Sequence, residues 1–195
     1  MKNYTLAIGI VLLGFTSGCK KEEKTIEVVE DVKEIVVDKS KLGIKTELTI
    51  ALEPKSESNV SGEVKFTLDK YNYVKMVANI TGLTPGTHAI HIHENADCSS
   101  IDGKSAGGHW NPTGQPHGEW KSKKGFHKGD IGNFVANQQG EGLVTMHTNE
   151  WCIGCDDVTK NIIGKAIIIH EGFDDLSSQP SGAAGKRVSC AGIIK

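Results

Sequence analysis

The sequence predicts an all-β fold, eight short strands forming a sandwich or barrel with two long functional loops. Three observations predict it. From Thr46 onward, runs of alternating apolar and polar residues are broken by turn residues about every eight to twelve positions, as in sandwiches and barrels. Glycine is abundant at 23 residues, aromatics make up only 6%, and no long helical periodicity follows residue 45. Two segments between strands are far longer than a turn needs, and loops of that length inside a domain usually carry function.

Taken in order, the strands are expected at 46–52, 60–68, 73–80, 87–94, 130–136, 142–147, 165–170 and 188–194. Leu83-Thr84-Pro85-Gly86 supplies a turn, with the proline ring preset for its second position. The long segments are about 35 residues rich in Gly, His and Asn after the fourth strand, and the stretch from Glu171 to Arg187. The body has about 150 residues, enough for one domain with its own core.

The chain has 195 residues, a net charge of -2, 37% hydrophobic and 24% charged residues. This is globular composition, not that of a disordered chain. No basic excess is present to meet a phosphate backbone, so no nucleic-acid partner is expected.

Residues 1–18 read as a leader. Met1-Lys2-Asn3 is a short basic start, and Tyr4 to Phe15 is an apolar run too short to span a bilayer. It ends in Thr16-Ser17-Gly18-Cys19, which resembles a bacterial lipoprotein signal, with Thr16 where Leu is usual. Lipidation of Cys19 would anchor the chain to a membrane outside the cytoplasm, at the periplasm or the cell surface. Residues 19–45, dense in charges of both signs, read as a tether, and 46–195 as the folded domain.

The chemistry lies in eight histidines. His91-Ile92-His93 falls on a strand, so both imidazoles share one face and Ile92 takes the other. His109 in Gly107-Gly108-His109-Trp110-Asn111-Pro112, then His117, His127 and Asp130, give three imidazoles and a carboxylate, the donor number of a closed tetrahedral zinc site. Their loop is rich in glycine, so a metal would supply much of its order. His170 ends an apolar strand and can join the first pair, and several imidazoles around one ion with an open position suit copper.

Read together, His91-x-His93-Glu94, Cys98, Gly108-His109-x-Asn111-Pro112, His117, His127-x-x-Asp130-Ile131-Gly132-Asn133, His170-Glu171, Asp174 and Gly185-x-Arg187-x-x-Cys190 resemble the copper–zinc superoxide dismutase family, in unbroken order from about Thr46 to Ile194. The resemblance implies an eight-stranded Greek-key architecture, for which the family is itself a standing example of a sandwich. It implies copper on His91, His93, His109 and His170, and zinc on His109, His117, His127 and Asp130, with His109 shared. Asp174 would join His91 to His117 by hydrogen bonds that orient both. His88 resembles a structural histidine, and His147 matches no ligand position and reads as surface.

The activity implied is dismutation of superoxide to dioxygen and hydrogen peroxide, an antioxidant function. His109 would take and return a proton, and the Arg187 guanidinium would attract the small anion. The second long loop holds Glu171, Asp174 and Asp175 but only one lysine, Lys186, where the family often steers superoxide with lysines.

With Cys19 assigned to lipid, four of the five cysteines remain. Cys98 and Cys190 resemble the family's disulfide, which would close about 90 residues and contribute roughly 4 kcal/mol on chain-entropy grounds. Cys152 and Cys155 lie outside the family pattern. The spacing suits a redox pair, half a zinc site or a local disulfide, of which the local disulfide is favoured. A competing reading is a copper carrier or buffer on the same fold without turnover. The resemblance admits a homodimer, and no interface motif is visible.

Overall fold

The computed structural model describes residues 44–195, so the leader, Cys19 and nearly all of the tether lie outside the described residues. Eight strands follow in order: β1 Ile44–Pro54, β2 Ser61–Asp69, β3 Val74–Thr81, β4 Gly86–His93, β5 Gly132–Ala136, β6 Gly142–Thr148, β7 Ala166–His170 and β8 Arg187–Gly192. One 3-10 turn, Lys104–Ala106, is the helical element among the described residues. Every expected strand is present, with ends displaced by a few residues.

The displacements have local causes. β1 runs the length of β2, pairing Ile44 with Asp69 and Leu52 with Gly62. It tolerates Pro54 because that residue closes the strand, where a missing N–H costs no ladder bond. β5 starts at Gly132 rather than Asp130, because the Asp130 carboxylate accepts the backbone N–H groups of Gly118 and His127 and holds its own residue in a turn.

All pairings between these strands are antiparallel, in the closed order β1-β2-β3-β6-β5-β4-β7-β8. Two four-stranded sheets, β1-β2-β3-β6 and β5-β4-β7-β8, meet at thin seams. One seam is the single pair Ala136↔Gly142, the other Glu53↔Cys190 and Pro54↔Ser189. The barrel is therefore flattened toward a sandwich. The β3–β4 and β6–β7 connections each skip two strands, which makes the topology Greek key. Leu83, in the four-residue β3–β4 link, is buried and plugs the core.

Alternation fixes which side of each strand is inside. Along β3, Val74, Met76, Ala78 and Ile80 are buried and face the core. From His88 to His93, β4 is buried at every position, so both of its faces are covered. Ile90 and Ile92 join the core, and His91 and His93 take the opposite face. β7 behaves alike: Ile167 and Ile169 enter the core, while Ala166 and Ile168 pack outside with Cys190 and Ala106. The cover over this outer face is the two long connections, residues 94–131 and 171–186.

Candidate metal centre

The 94–131 loop is stitched to β4 by backbone bonds. Ile92 N–H donates to Gly129 O (2.9 Å), Trp110 N–H to Ile92 O (2.8 Å), and Gly129 N–H to Trp110 O (3.0 Å). A Cβ on Gly129 would sit 2.1 Å from Ile92 O, so only glycine permits this approach. The stitch lays His109 against His93 as an isolated bridge and sets Asp130 beside it. On β7, a register irregularity between Ile169 and His170 pairs His170 with Arg187 of β8. Such a bulge re-aims a side chain, and here it brings a guanidinium next to the imidazoles.

Two groups of donor atoms result: His91, His93, His109 and His170, and His109, His117, His127 and Asp130, within 4.8 Å of one another in each group. All seven residues are buried. His109 belongs to both. Its Nδ1 lies 2.9 Å from Asp130 Oδ1, and its Nε2 is buried with no hydrogen-bond partner.

Second nitrogens are held in place by the protein. His91 Nε2 and His117 Nε2 bond the two oxygens of Asp174 at 2.8 and 2.9 Å. His93 Nδ1 bonds Gly107 O at 2.9 Å, and His170 Nδ1 lies 3.5 Å from Gly185 O. In a neutral ring such a bond leaves the other nitrogen as a bare lone pair. Six such nitrogens are buried without a partner: His91 Nδ1, His93 Nε2, His109 Nε2, His117 Nδ1, His127 Nδ1 and His170 Nε2. A cost of that size persists where a cation receives the lone pairs.

In the second group, His117 Nδ1 and His127 Nδ1 lie 3.0 and 3.2 Å from Asp130 oxygens without hydrogen-bond alignment. Donors on a tetrahedron with bonds of about 2.0–2.1 Å stand about 3.3 Å apart, so these separations match neighbouring corners of one zinc site. The first group offers imidazole nitrogens alone, a donor set that suits copper. The residues fit both ions.

Electrostatics agree. Burial, with the neighbouring imidazoles, holds His93 and His170 well below the usual range. Burial also lowers His109 to about 4, against the pull of Asp130. These rings are neutral donors at neutral pH. Burial disfavours the charge on His117, but Asp130 and Asp174 outweigh it and raise it to about 9. Burial likewise opposes ionisation of Asp130, yet its three imidazoles keep the carboxyl far below the carboxylate range.

A cleft of about 410 Å³ opens onto the centre between His93, His109, His170, Glu94, Ser181 and Arg187. The Arg187 guanidinium donates to Gly103 O and Gly107 O, both at 2.8 Å. Three of its five N–H groups remain for an anion.

The remaining sequence candidates fall as follows. Asp174 bridges His91 and His117. Cys98 and Cys190 form a disulfide with Cα atoms 5.8 Å apart, and Cys152 and Cys155 form a second. His88 is buried, its ring between His170 O and Thr84 O at 3.0 and 2.8 Å. His147 is exposed and stacks on Tyr73. The residues themselves had not shown what Asn133, Gln179 and Glu94 do. Asn133 exchanges two hydrogen bonds with the Asp174 backbone, Gln179 exchanges two with the His117 backbone, and Glu94 lines the cleft and accepts from Gly108 N–H. Lone amides carry no spacing signal, and these contacts cross 41 and 62 residues.

A flattened Greek-key barrel whose outer face carries two donor groups with one imidazole in common defines a candidate metalloprotein. The family described as copper/zinc superoxide dismutase matches residues 60–193. Superoxide dismutase [Cu-Zn] 2 of Mesembryanthemum crystallinum is 35% identical over 144 residues, covering 70% of this chain and 88% of that protein. The extracellular superoxide dismutase [Cu-Zn] of Brugia pahangi is 33% identical over 160 residues, covering 77% and 76%. Among solved structures, a double mutant of a SOD-like protein from Bacillus subtilis superposes with a TM-score of 0.67 at 30% identity, covering 75% of this chain and 97% of that one. The chain belongs to the copper/zinc superoxide dismutase family. It is an enzyme of the superoxide dismutase class, with copper and zinc as its cofactors.

Proposed function

We propose that dismutation takes place at copper held by His91, His93, His109 and His170, with His109 also holding zinc alongside His117, His127 and Asp130. The observation that carries this reading is the double membership of His109, whose Nδ1 faces Asp130 while its buried Nε2 has no hydrogen-bond partner. When bound, copper supplies one-electron exchange with superoxide, and zinc supplies charge and order without redox chemistry.

The chain's own residues do the rest. Arg187, fixed by two carbonyls and lining the cleft, binds and orients the anion. His109 Nε2, when not engaged with copper, would hold and deliver one proton and solvent the other, so that two superoxide ions and two protons leave as one dioxygen and one hydrogen peroxide. Asp174 locks the rings of His91 and His117 with one carboxylate. Burial holds the metal-free His109 ring neutral at neutral pH, which leaves its nitrogens available as metal donors.

Loading the chain with copper, with zinc or with both tests the assignment. Superoxide removal is expected with copper present and absent with zinc alone. Copper bound in equal amount without turnover would leave a copper carrier instead.

We propose also that residues 1–18 are a cleaved leader, that Cys19 carries lipid, and that 19–45 tether the 46–195 domain to a membrane outside the cytoplasm. Two disulfides support that compartment, since thiols stay reduced in most cytosols. Cys19→Ser is expected to move the protein from the membrane to the soluble fraction, and retention on the membrane would contradict the lipid.

A further inference from the structure

The hydrogen bonds from the 171–186 loop to the 94–131 loop converge on one residue, His117. Asp174 Oδ1 accepts from the His117 ring at 2.9 Å. Gln179 Oε1 accepts the His117 backbone N–H at 2.9 Å, and Gln179 Nε2 donates to His117 O at 2.9 Å. The same amide donates to Ser177 O at 3.2 Å, which ties it to its own loop. Gly182 closes the third side: a Cβ there would lie 1.7 Å from Asp174 Oδ1 and 2.7 Å from His117 Nε2.

His117 lies in no strand, so no ladder holds its backbone. One side-chain amide satisfies both of its main-chain groups, as a neighbouring strand would. Only an amide does this, because it carries a donor and an acceptor side by side, whereas a carboxylate accepts and cannot donate. Asp174 fixes the direction of the ring, and Gln179 fixes the backbone from which the ring projects.

We propose that Gln179 is a positioning residue for the zinc group, holding the His117 backbone so that Nδ1 stays at the corner shared with Asp130, His109 and His127. The inference rests on the reading of His117 as a zinc ligand. Among the described residues, the hydrogen bonds of Gln179 go to His117 and Ser177 and none to His91, His93, His109 or His170, so the effect is expected to be selective for zinc. Outer-shell partners of metal ligands typically change metal affinity about 10- to 100-fold, and an indirect backbone clamp falls at the lower end, about tenfold.

The test is competition of a zinc chelator, and separately of a copper chelator, against the full chain loaded with both metals. Wild type is compared with Gln179→Ala and with Gln179→Met, which keeps the bulk and loses both hydrogen bonds. Zinc retention about tenfold weaker in both variants, with copper retention unchanged, is the expected result. Unchanged zinc retention in either variant overturns the proposal, as does an equal weakening of zinc and copper, which signals general loosening. His117→Ala is the control on the underlying reading: zinc held as tightly as by wild type would remove that reading and the inference together.

Discussion

His109 sits where two demands meet, since one ring serves both donor groups and is buried with a bare Nε2. Its lowered pKa, about 4, has a consequence for stability. An unfolded histidine titrates near about 6.5, so between that value and about 4 the unfolded chain binds the proton that the folded chain refuses. The contribution is fully present above about pH 6.5 and is lost as pH falls toward 4, with His93 and His170 acting in the same direction. His117, raised to about 9, acts oppositely: its contribution is complete below about 6.5 and lost as pH rises through 9. The metal-free protein is therefore expected to melt at its highest temperature near neutral pH and at falling temperatures from pH 6.5 to 4. A flat melting profile across that acid range would contradict the burial argument. Arg187 makes its own prediction at this scale. Arg187→Ala removes the only fixed positive charge lining the cleft among the described residues and is expected to lower superoxide removal roughly 10- to 100-fold while copper stays bound. Copper loss in that variant would make Arg187 structural instead.

At the scale of elements, the centre depends on strands that present side chains and loops that are pinned to them. β4 presents His91 and His93 on one face because its period is two, and this much was readable from His91-Ile92-His93 alone. The β7–β8 irregularity that sets Arg187 opposite His170 was not readable, since no residue type marks it. Nor was the role of Gly129, which looks like any loop glycine until Ile92 O is seen 2.1 Å from its absent Cβ. Gly129→Ala is expected to push the 94–131 loop off β4, lowering zinc content more than copper and costing about 1–3 kcal/mol, in the range of overpacked sites. Wild-type zinc content and melting temperature in this variant would show that the stitch is dispensable. The strands were legible from alternation, and their ends were blurred where a side chain such as the Asp130 carboxylate captures backbone N–H groups.

For the whole molecule, the barrel supplies the face that carries the donors, and hydrogen bonds pin the two long loops over it. The ordered set of ligand positions was visible in sequence because each chemistry-bearing residue is itself a signal. The clamps formed by Asn133, Gln179 and Gly182 were not, because their meaning lies in three-dimensional neighbours. Charge at the cleft mouth is also a property of the whole fold. Arg187 is offset by Glu94 among the lining residues, and the 171–186 loop contributes one lysine, Lys186, which does not line the cleft. Salt screens steering in proportion to the net local charge, so superoxide removal is expected to depend only weakly on ionic strength. A steep fall between low and physiological salt would show that distant cations steer the substrate.

The central claim is that one imidazole joins the copper and zinc groups and handles the proton. It is tested most directly by the rate of superoxide removal by the chain loaded with copper and zinc, beside His109→Ala loaded identically. The account predicts fast turnover, of the diffusion-limited class that this family exemplifies, and a sharp fall in the variant. Tight copper binding with negligible turnover in the wild type, or an unchanged rate in the variant, would contradict it.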